Sequence, residues 1–201
     1  LFNAVIKAAK RGIRVVIVSD GQEYISKEGE AKQDADLKEC LKTDTEFECE
    51  KTGAFFSRRL AEAGVEMHLK YYSFIWNFVV APQMHSKYMI VDGKTVYSGS
   101  YNYSYNAEFN SFENVAIFEE ASAKEVVDSF KANFKDVLGY GGGAEGFNDY
   151  MAKFKEAKEF PLVFAPVTMK LDQIDKFIAL AYKKCPSLFK MRSDAKVGKS
   201  L

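Results

Sequence analysis

The sequence contains no run of about 18 consecutive apolar residues, so it does not predict a membrane-spanning helix. It also has no excess of charge of either sign, because 28 lysine and arginine residues balance 28 aspartate and glutamate residues. Proteins that hold nucleic acid by its phosphates usually carry a basic excess, so the neutral total weighs mildly against a non-specific nuclease. A local basic cleft within a neutral total would still be compatible with one.

Cysteine is scarce as well, and its three positions are Cys40, Cys49 and Cys185. Cys40 and Cys49 lie nine residues apart in a polar segment and could close a small disulfide loop, but three reduced thiols fit the sequence equally well. The odd total leaves Cys185 free or paired elsewhere. No C-x-x-C pair and no Cys/His spacing suggests zinc. We expect no metal site and no cofactor.

The chain does contain enough apolar side chain for a core, since 47% of its residues are hydrophobic and 14% are aromatic. A helical pattern from Phe2 ends at Gly12, and Ile13–Val18 follows as a β run. A helix, a glycine and a buried strand make half of a βαβ unit, which predicts an α/β fold with a parallel or mixed sheet. Val65–Leu69 is predicted as the next strand, and its His68 is interpreted as a structural residue.

Two further segments permit more than one interpretation. Residues Gln22–Cys49 are charged and nearly devoid of large apolar side chains, so we expect an exposed excursion with a short helix near Ala35–Leu41. The aromatic stretch Tyr71–Val80 is compatible with core or dimer packing. It is also compatible with the wall of a substrate groove that contacts acyl chains or stacks bases.

One stretch carries the chemistry, and it has the pattern H-x-K-(x)4-D-(x)6-G-S-x-N-(x)10-E. The residues at its defined positions are His85, Lys87, Asp92, Gly99, Ser100, Asn102 and Glu113. Tyr88–Val91 and Thr95–Tyr97 are predicted strands, and the Asp92-Gly93 pair between them is typical of a tight hairpin turn. The hairpin returns the end of its second strand to the level of His85. We therefore expect four side chains to form one cluster, namely His85, Lys87, Ser100 and Asn102.

This cluster suits the chemistry of a phosphodiester. The imidazole of His85 can attack phosphorus and form a covalent intermediate, which splits one difficult displacement into two easier ones. Lys87 can offset charge on phosphate oxygens, while Ser100 and Asn102 donate hydrogen bonds to them. The carboxylate of Glu113 can accept a hydrogen bond from the second ring nitrogen and fix the tautomer. No divalent cation is required, because the lysine supplies the electrostatic stabilisation.

The pattern resembles the HKD motif of the phospholipase D superfamily. It looks closest to the short, single-motif members, which include small bacterial endonucleases and the mitochondrial cardiolipin hydrolase type. The resemblance extends from about Phe2 to Leu138, although only Met84–Phe118 is diagnostic. It implies a mixed β-sheet flanked by helices on both faces.

The resemblance also implies a role for each position of the pattern. His85 would be the nucleophile and Glu113 the acidic residue that orients it. The phosphate-binding residues would be Lys87, Ser100 and Asn102. Asp92 and Gly99 would be structural.

Single-motif members of this family pair as homodimers, which implies one composite site in which His85 of a second copy is the general acid. We favour the hydrolysis of phospholipids through a phosphohistidine intermediate, given the neutral charge and the aromatic flanks. Cleavage of DNA or RNA by the same mechanism is the alternative, and a catalytically silent scaffold is a third hypothesis. Peripheral membrane contact is compatible with the first.

The domain organisation follows from the same comparison. We expect a catalytic domain over residues 1–138, a glycine-rich linker over 139–146, and a helical C-terminal extension over 147–201 whose tail is disordered. A domain of this family normally begins with a strand, whereas this chain opens on a helical pattern. We therefore expect that an N-terminal piece containing this strand is missing from this sequence. Any targeting signal would be missing with it. A periplasmic or secreted location is slightly favoured over a cytoplasmic one.

Overall fold

The computed structural model describes residues 1–21, 26–45, 49, 57–71, 84–139, 143–156 and 167–184. In chain order its elements are α1 (Phe2–Lys10), β1 (Val16–Asp20), α2 (Lys27–Cys40), α3 (Ser57–Glu62), β2 (Glu66–Tyr71), β3 (Tyr88–Val91), β4 (Thr95–Gly99), α4 (Tyr105–Phe109), β5 (Val115–Glu119), α5 (Glu120–Gly139), α6 (Gly143–Glu156), β6 (Val167–Lys170) and α7 (Leu171–Lys184). The predicted α/β class is confirmed, although the described strands form two three-stranded sheets where one was expected.

Internal contacts divide the chain into two compact units. The small unit comprises residues 85–138, and the large unit comprises residues 2–84 together with 139–201. Strands from both ends of the chain share the sheet of the large unit. The domain boundaries expected from the sequence stay a prediction.

The sheet of the large unit has the strand order β1-β2-β6. β1 and β2 are parallel, and β6 runs antiparallel to β2. The turn between α1 and β1 contains Gly12 with a φ of 86°, a conformation that glycine adopts without steric cost. The predicted order of helix, glycine and strand is therefore present, although every residue of β1 is only partly buried.

The core of the large unit includes one face of its sheet and part of α7, which contacts both β2 and β6. Met67 and Leu69 are buried on β2 two residues apart, so they share a face. Ile174, Phe177 and Ile178 of α7 are buried, at the spacing of a single helix face. Full burial of such a side chain contributes about 1.5–3 kcal/mol.

The other face of β2 buries two basic side chains, His68 and Lys70. The Nε2 atom of His68 lies 2.8 Å from Glu66 Oε1, so His68 is a hydrogen-bonded structural residue, as expected. The Nζ atom of Lys70 donates a hydrogen bond to Thr168 Oγ1 at 2.8 Å. Burial disfavours the charged amine and lowers the pKa of Lys70 to about 8.

Helix α2 occupies much of the charged excursion and is longer than the short helix predicted near Ala35–Leu41. Ser26 caps its start, and the serine Oγ accepts a hydrogen bond from the Gly29 N–H at 3.1 Å. None of the residues of α2 is buried, so the helix has no apolar stripe that the sequence could have revealed.

Ion pairs connect α2 to other helices of the large unit. The buried Arg58 of α3 pairs through two nitrogens with the carboxylate of Asp175 on α7. Its Nε atom lies 3.8 Å from Glu30 Oε2 of α2. Arg59 forms a second link, to Asp34. The Arg58 guanidinium thus connects α2, α3 and α7, which are distant in sequence.

A disulfide between Cys40 and Cys49 closes the end of α2, with a Cα–Cα distance of 5.7 Å. Of the two alternatives that the sequence left open, the structure therefore contains the oxidised pair. Cys49 is 2% exposed, so the bridge is anchored in the protein interior at one end. Cys185 lies outside the described residues.

The C-terminal section contributes more than the predicted helical extension. Its strand β6 pairs with β2 and completes the sheet that begins with β1. Helix α5 ends at Gly139 and α6 begins at Gly143, and the linker expected over 139–146 stays a prediction. Glycine is compatible with a first helical turn, where backbone N–H groups need no partner within the helix. The aromatic stretch after Tyr71 and the C-terminal tail lie outside the described residues.

The small unit is an antiparallel sheet of order β3-β4-β5 with α5 packed on one face. The Tyr88 ring lies 5.1 Å from the Phe130 ring of α5, and the Phe118 ring lies 6.3 Å from it. Val96 and Val127 are completely buried. None of the described helices, in this unit or the other, is long and apolar enough to cross a lipid bilayer.

We predict that loss of the disulfide lowers the free energy of unfolding by about 2–3 kcal/mol, because a cross-link of this loop length restricts the unfolded chain. Urea unfolding of a Cys40→Ala/Cys49→Ala protein would measure the change. Wild type in a reducing buffer should show the same loss, and reductant should have no further effect on the double variant. Equal midpoints for oxidised wild type and the variant would contradict the prediction.

Candidate active site

The hairpin of β3 and β4 positions the start and the middle of the HKD-like pattern. Asp92 and Gly93 form its turn with φ values of 53° and 67°, and the Lys94 N–H donates to the Val91 carbonyl at 3.0 Å. Two successive positive φ values are typical of the tight turn predicted from the Asp-Gly pair. Asp92 therefore lies at the turn, roughly 13 Å along the strand from Tyr88, the first residue of β3.

At the other end of β4, the backbones of two strands approach each other very closely at Gly99. A Cβ atom at this position would lie 2.0 Å from the Asn114 carbonyl oxygen and 3.0 Å from the Val115 Cα atom. Only a residue without a side chain fits there. The Gly99 N–H also donates to the Lys87 carbonyl at 3.4 Å, which keeps the two ends of the hairpin together.

This close approach is followed by a cluster of hydrogen bonds around Ser100. The Ser100 N–H donates to the Asn114 side-chain and backbone oxygens, at 3.1 Å in each case. The Asn114 N–H donates to Ser100 Oγ at 3.1 Å, and the Ser100 hydroxyl donates to Glu113 Oε2. Ser100 and Glu113, which the sequence placed thirteen residues apart, are therefore in direct contact.

His85 and Lys87 line an open groove of about 440 Å³ at the other strand of the hairpin. The Lys87 ammonium donates to the His85 carbonyl oxygen at 2.6 Å, so its charge lies beside the histidine backbone. His85 is exposed, and its ring makes no hydrogen bond to any residue that the structure describes. Met84, the residue before it, donates its N–H to Asp20 Oδ2 at 2.5 Å within the large unit.

The predicted cluster is assembled in part. Ser100 contacts Glu113, while His85, Lys87 and Gly99 share the groove. Asn102 is exposed, and its amide has no hydrogen-bond partner among the described residues. The carboxylate of Glu113 accepts from Ser100, and within the described part of the chain it has no contact with the His85 ring.

A family model described as "Cardiolipin synthase, PLD-like domain" matches residues 1–138, which is well over half of the chain. The chain belongs to the phospholipase D-like family. None of the curated proteins compared with it matches.

Among solved structures, this phospholipase D-like chain is similar to the crystal structure of Nuc, a phospholipase D family member from Salmonella typhimurium. The sequence identity is 24% and the TM-score is 0.40, with 67% of this chain and 66% of that chain covered. The chain thus spans slightly less than two thirds of that relative.

The groove of this phospholipase D-like chain also contains residues that the sequence reasoning missed. Ser129, Phe130 and Asn133 of α5 form one of its walls. The Tyr88 hydroxyl donates to Asn133 Oδ1 at 2.9 Å, which joins this wall to the strand that follows Lys87. The spacing of Ser129 and Asn133, one helical turn apart, was the available signal, but the apolar face of α5 dominated the pattern.

Large apolar side chains are exposed next to the Ser100–Glu113 contact. Phe112 is fully exposed, and Phe109 is 57% exposed. Val115 and Ile117 of β5 are about half exposed, at 48% and 58%. These four exposed apolar residues all lie within five positions of Glu113 in the sequence.

We predict that Gly99→Ala destabilises the protein by about 3 kcal/mol, because the added methyl group forces the backbones of β4 and β5 apart. Gly139→Ala is the matched control, since an added methyl at Gly139 meets no atom within 4 Å. Alanine is also the better helix former there, so the control should unfold at the same urea concentration or a higher one. Equal stability of the two variants would contradict the close approach at Gly99.

Proposed function

We propose that the protein is a metal-independent phosphodiesterase that hydrolyses phospholipids through a phosphohistidine intermediate. The observation that carries this proposal is the groove that holds His85 and Lys87 at the hairpin end where the Ser100–Glu113 contact begins. A nucleophilic nitrogen, a cation and hydrogen-bond donors are the groups that displacement at phosphorus requires.

In the first step a ring nitrogen of His85 attacks phosphorus, and the bond from phosphorus to the leaving alcohol oxygen breaks as that oxygen takes a proton from a general acid. In the second step a water molecule attacks phosphorus and loses a proton to the same group. The phosphorus–nitrogen bond then breaks and restores His85. Each step needs charge stabilisation on the phosphate oxygens.

Lys87 is suited to that stabilisation although its ammonium already donates to the His85 carbonyl oxygen. An ammonium has three N–H donors, so two remain for phosphate oxygens. Ser100 and Asn102 are the proposed further donors. Ser100 donates its hydroxyl to Glu113 in this structure and would have to turn toward a bound phosphate.

Glu113 is the proposed orienting residue for His85. Its Oε2 atom accepts from Ser100, and the second carboxylate oxygen remains available to a histidine N–H. Such a contact would fix the tautomer and raise the basicity of the attacking nitrogen. Asp92 and Gly99 have the proposed structural roles, at the turn and at the close approach of the strands.

A phospholipid is favoured over a nucleic acid by the surroundings of the candidate site. Lys87 is the only lysine or arginine among the described residues that line the groove, whereas a nucleic-acid groove contacts several phosphates in succession. The exposed side chains of Phe109 and Phe112 lie close in sequence to Glu113 and could contact acyl chains. Residues 1–138 are the proposed catalytic domain.

We predict that His85→Ala lowers phospholipid hydrolysis by about a thousandfold or more, because both displacements need its ring nitrogen. The assay is release of the head group from a panel of phospholipid vesicles in EDTA, with single-stranded DNA and RNA tested alongside. His68→Gln is the matched control, since His68 is the other histidine and its ring is buried against Glu66. It should keep the wild-type rate.

The outcomes of this assay separate the hypotheses. Lipid hydrolysis that survives EDTA and is lost in His85→Ala would support the proposal, and a strict requirement for added metal would overturn it. Cleavage of DNA or RNA alone, lost in the same variant, would make the protein a nuclease. Wild-type inactivity on every substrate would favour a silent scaffold.

We also predict a homodimer with one composite site, because the double displacement needs a second group near His85 to protonate the leaving alcohol. Sedimentation of the active protein should give about twice the mass of the 22.7 kDa chain. An active sample that sediments as a monomer would contradict the composite site.

A further inference from the structure

Helix α5 forms one wall of the groove. Two of its polar side chains, Ser129 and Asn133, line the groove one helical turn apart. His85 and Lys87 line the same groove. The proposed mechanism assigns no role to either polar residue of α5. Both are exposed, so neither is needed to satisfy a buried group.

Asn133 is held in one orientation by Tyr88. The Tyr88 ring packs edge-on against Phe130 and Phe134, at centroid distances of 5.1 Å and 6.4 Å. Its hydroxyl donates to Asn133 Oδ1 at 2.9 Å. Burial of Tyr88 raises the pKa of its hydroxyl, which keeps it protonated and able to donate.

This contact leaves the amide nitrogen of Asn133 as the free end of the side chain. Its two N–H donors have no acceptor among the described residues, and the groove is the space that Asn133 lines. A side chain whose oxygen is already bonded presents donors in a fixed direction, so little conformational entropy is lost when a ligand accepts from them.

The groove is open and has room for more than a phosphate group. A volume of about 440 Å³ is in the range of pockets for whole small molecules and is far larger than one phosphate group. A phosphate held at His85 and Lys87 would therefore leave room for the alcohol attached to it. The polar groups that this alcohol would meet include the hydroxyls of Ser129 and Ser98 and the amide of Asn133.

We propose that Asn133, oriented by Tyr88, is a specificity-determining residue that donates a hydrogen bond to a head-group alcohol bearing hydroxyl oxygens. This inference rests on the proposed phosphodiesterase function and extends it by naming the class of head group. A choline head group offers no hydroxyl acceptor, so it would not benefit from this contact. Because Asn133 is exposed, its N–H donors bond to water when the head group offers no acceptor, so the expected selectivity is the net contribution of one hydrogen bond.

The test compares kcat/KM for phosphatidylglycerol and phosphatidylcholine in vesicles of otherwise equal composition. In Asn133→Ala the preference for phosphatidylglycerol should fall about fivefold to tenfold, as expected for one lost hydrogen bond. Tyr88→Phe should reduce the same preference while it keeps Asn133 itself. Lys135→Ala is the control, since Lys135 is exposed on the same helix and does not line the groove.

The ratio of the two substrates separates recognition from structure, because partial unfolding lowers both rates together. An unchanged ratio in Asn133→Ala, with an active wild type, would overturn the inference and leave the phosphodiesterase intact. Binding of glycerol 3-phosphate and phosphocholine to the His85→Ala protein, measured by calorimetry, tests recognition without turnover. Tighter binding of glycerol 3-phosphate that is lost on adding Asn133→Ala would support the inference, and equal affinities would overturn it.

Discussion

The close approach of two backbones at Gly99 is the constraint on which the candidate site depends. Because no Cβ atom fits between Gly99 and Asn114, β4 and β5 meet where the pattern passes from a strand into a loop. That contact places Ser100 opposite Glu113 and Asn114, so four hydrogen bonds follow from the absence of one side chain. Asp92 and Gly93 set the register of the same hairpin from its far end.

Features that depend on short stretches of sequence could be predicted. The Asp92-Gly93 turn and its two strands follow from turn chemistry and alternation, and α1 with β1 follow from helical spacing and a glycine. The spacing of the HKD-like pattern indicated the family that the match over residues 1–138 shows. The roles of the individual site residues stay predictions.

Features that depend on residues distant in sequence could not be predicted. β6 pairs with β2, which lies about a hundred residues earlier in the sequence. A strand of four residues is too short for its hydrophobic pattern to predict this pairing. α2 has no apolar stripe that would predict its packing. An ion pair with Arg58 and a disulfide connect it to the large unit. Asn133 is hydrogen-bonded to Tyr88, which lies 45 positions earlier in the sequence. Neither residue type alone suggests a site.

The way in which α2 is held has a consequence for how this region can vary. A helix that packs by an apolar stripe is constrained at every third or fourth residue. In α2, ion pairs involve Glu30 and Asp34, and a disulfide involves Cys40. The positions between these ties face solvent in large part and can accept many side chains without disturbing a core. Sequence drift should therefore be fast along this helix and slow at its ties, which makes its outer surface a suitable place to attach a label or an affinity tag.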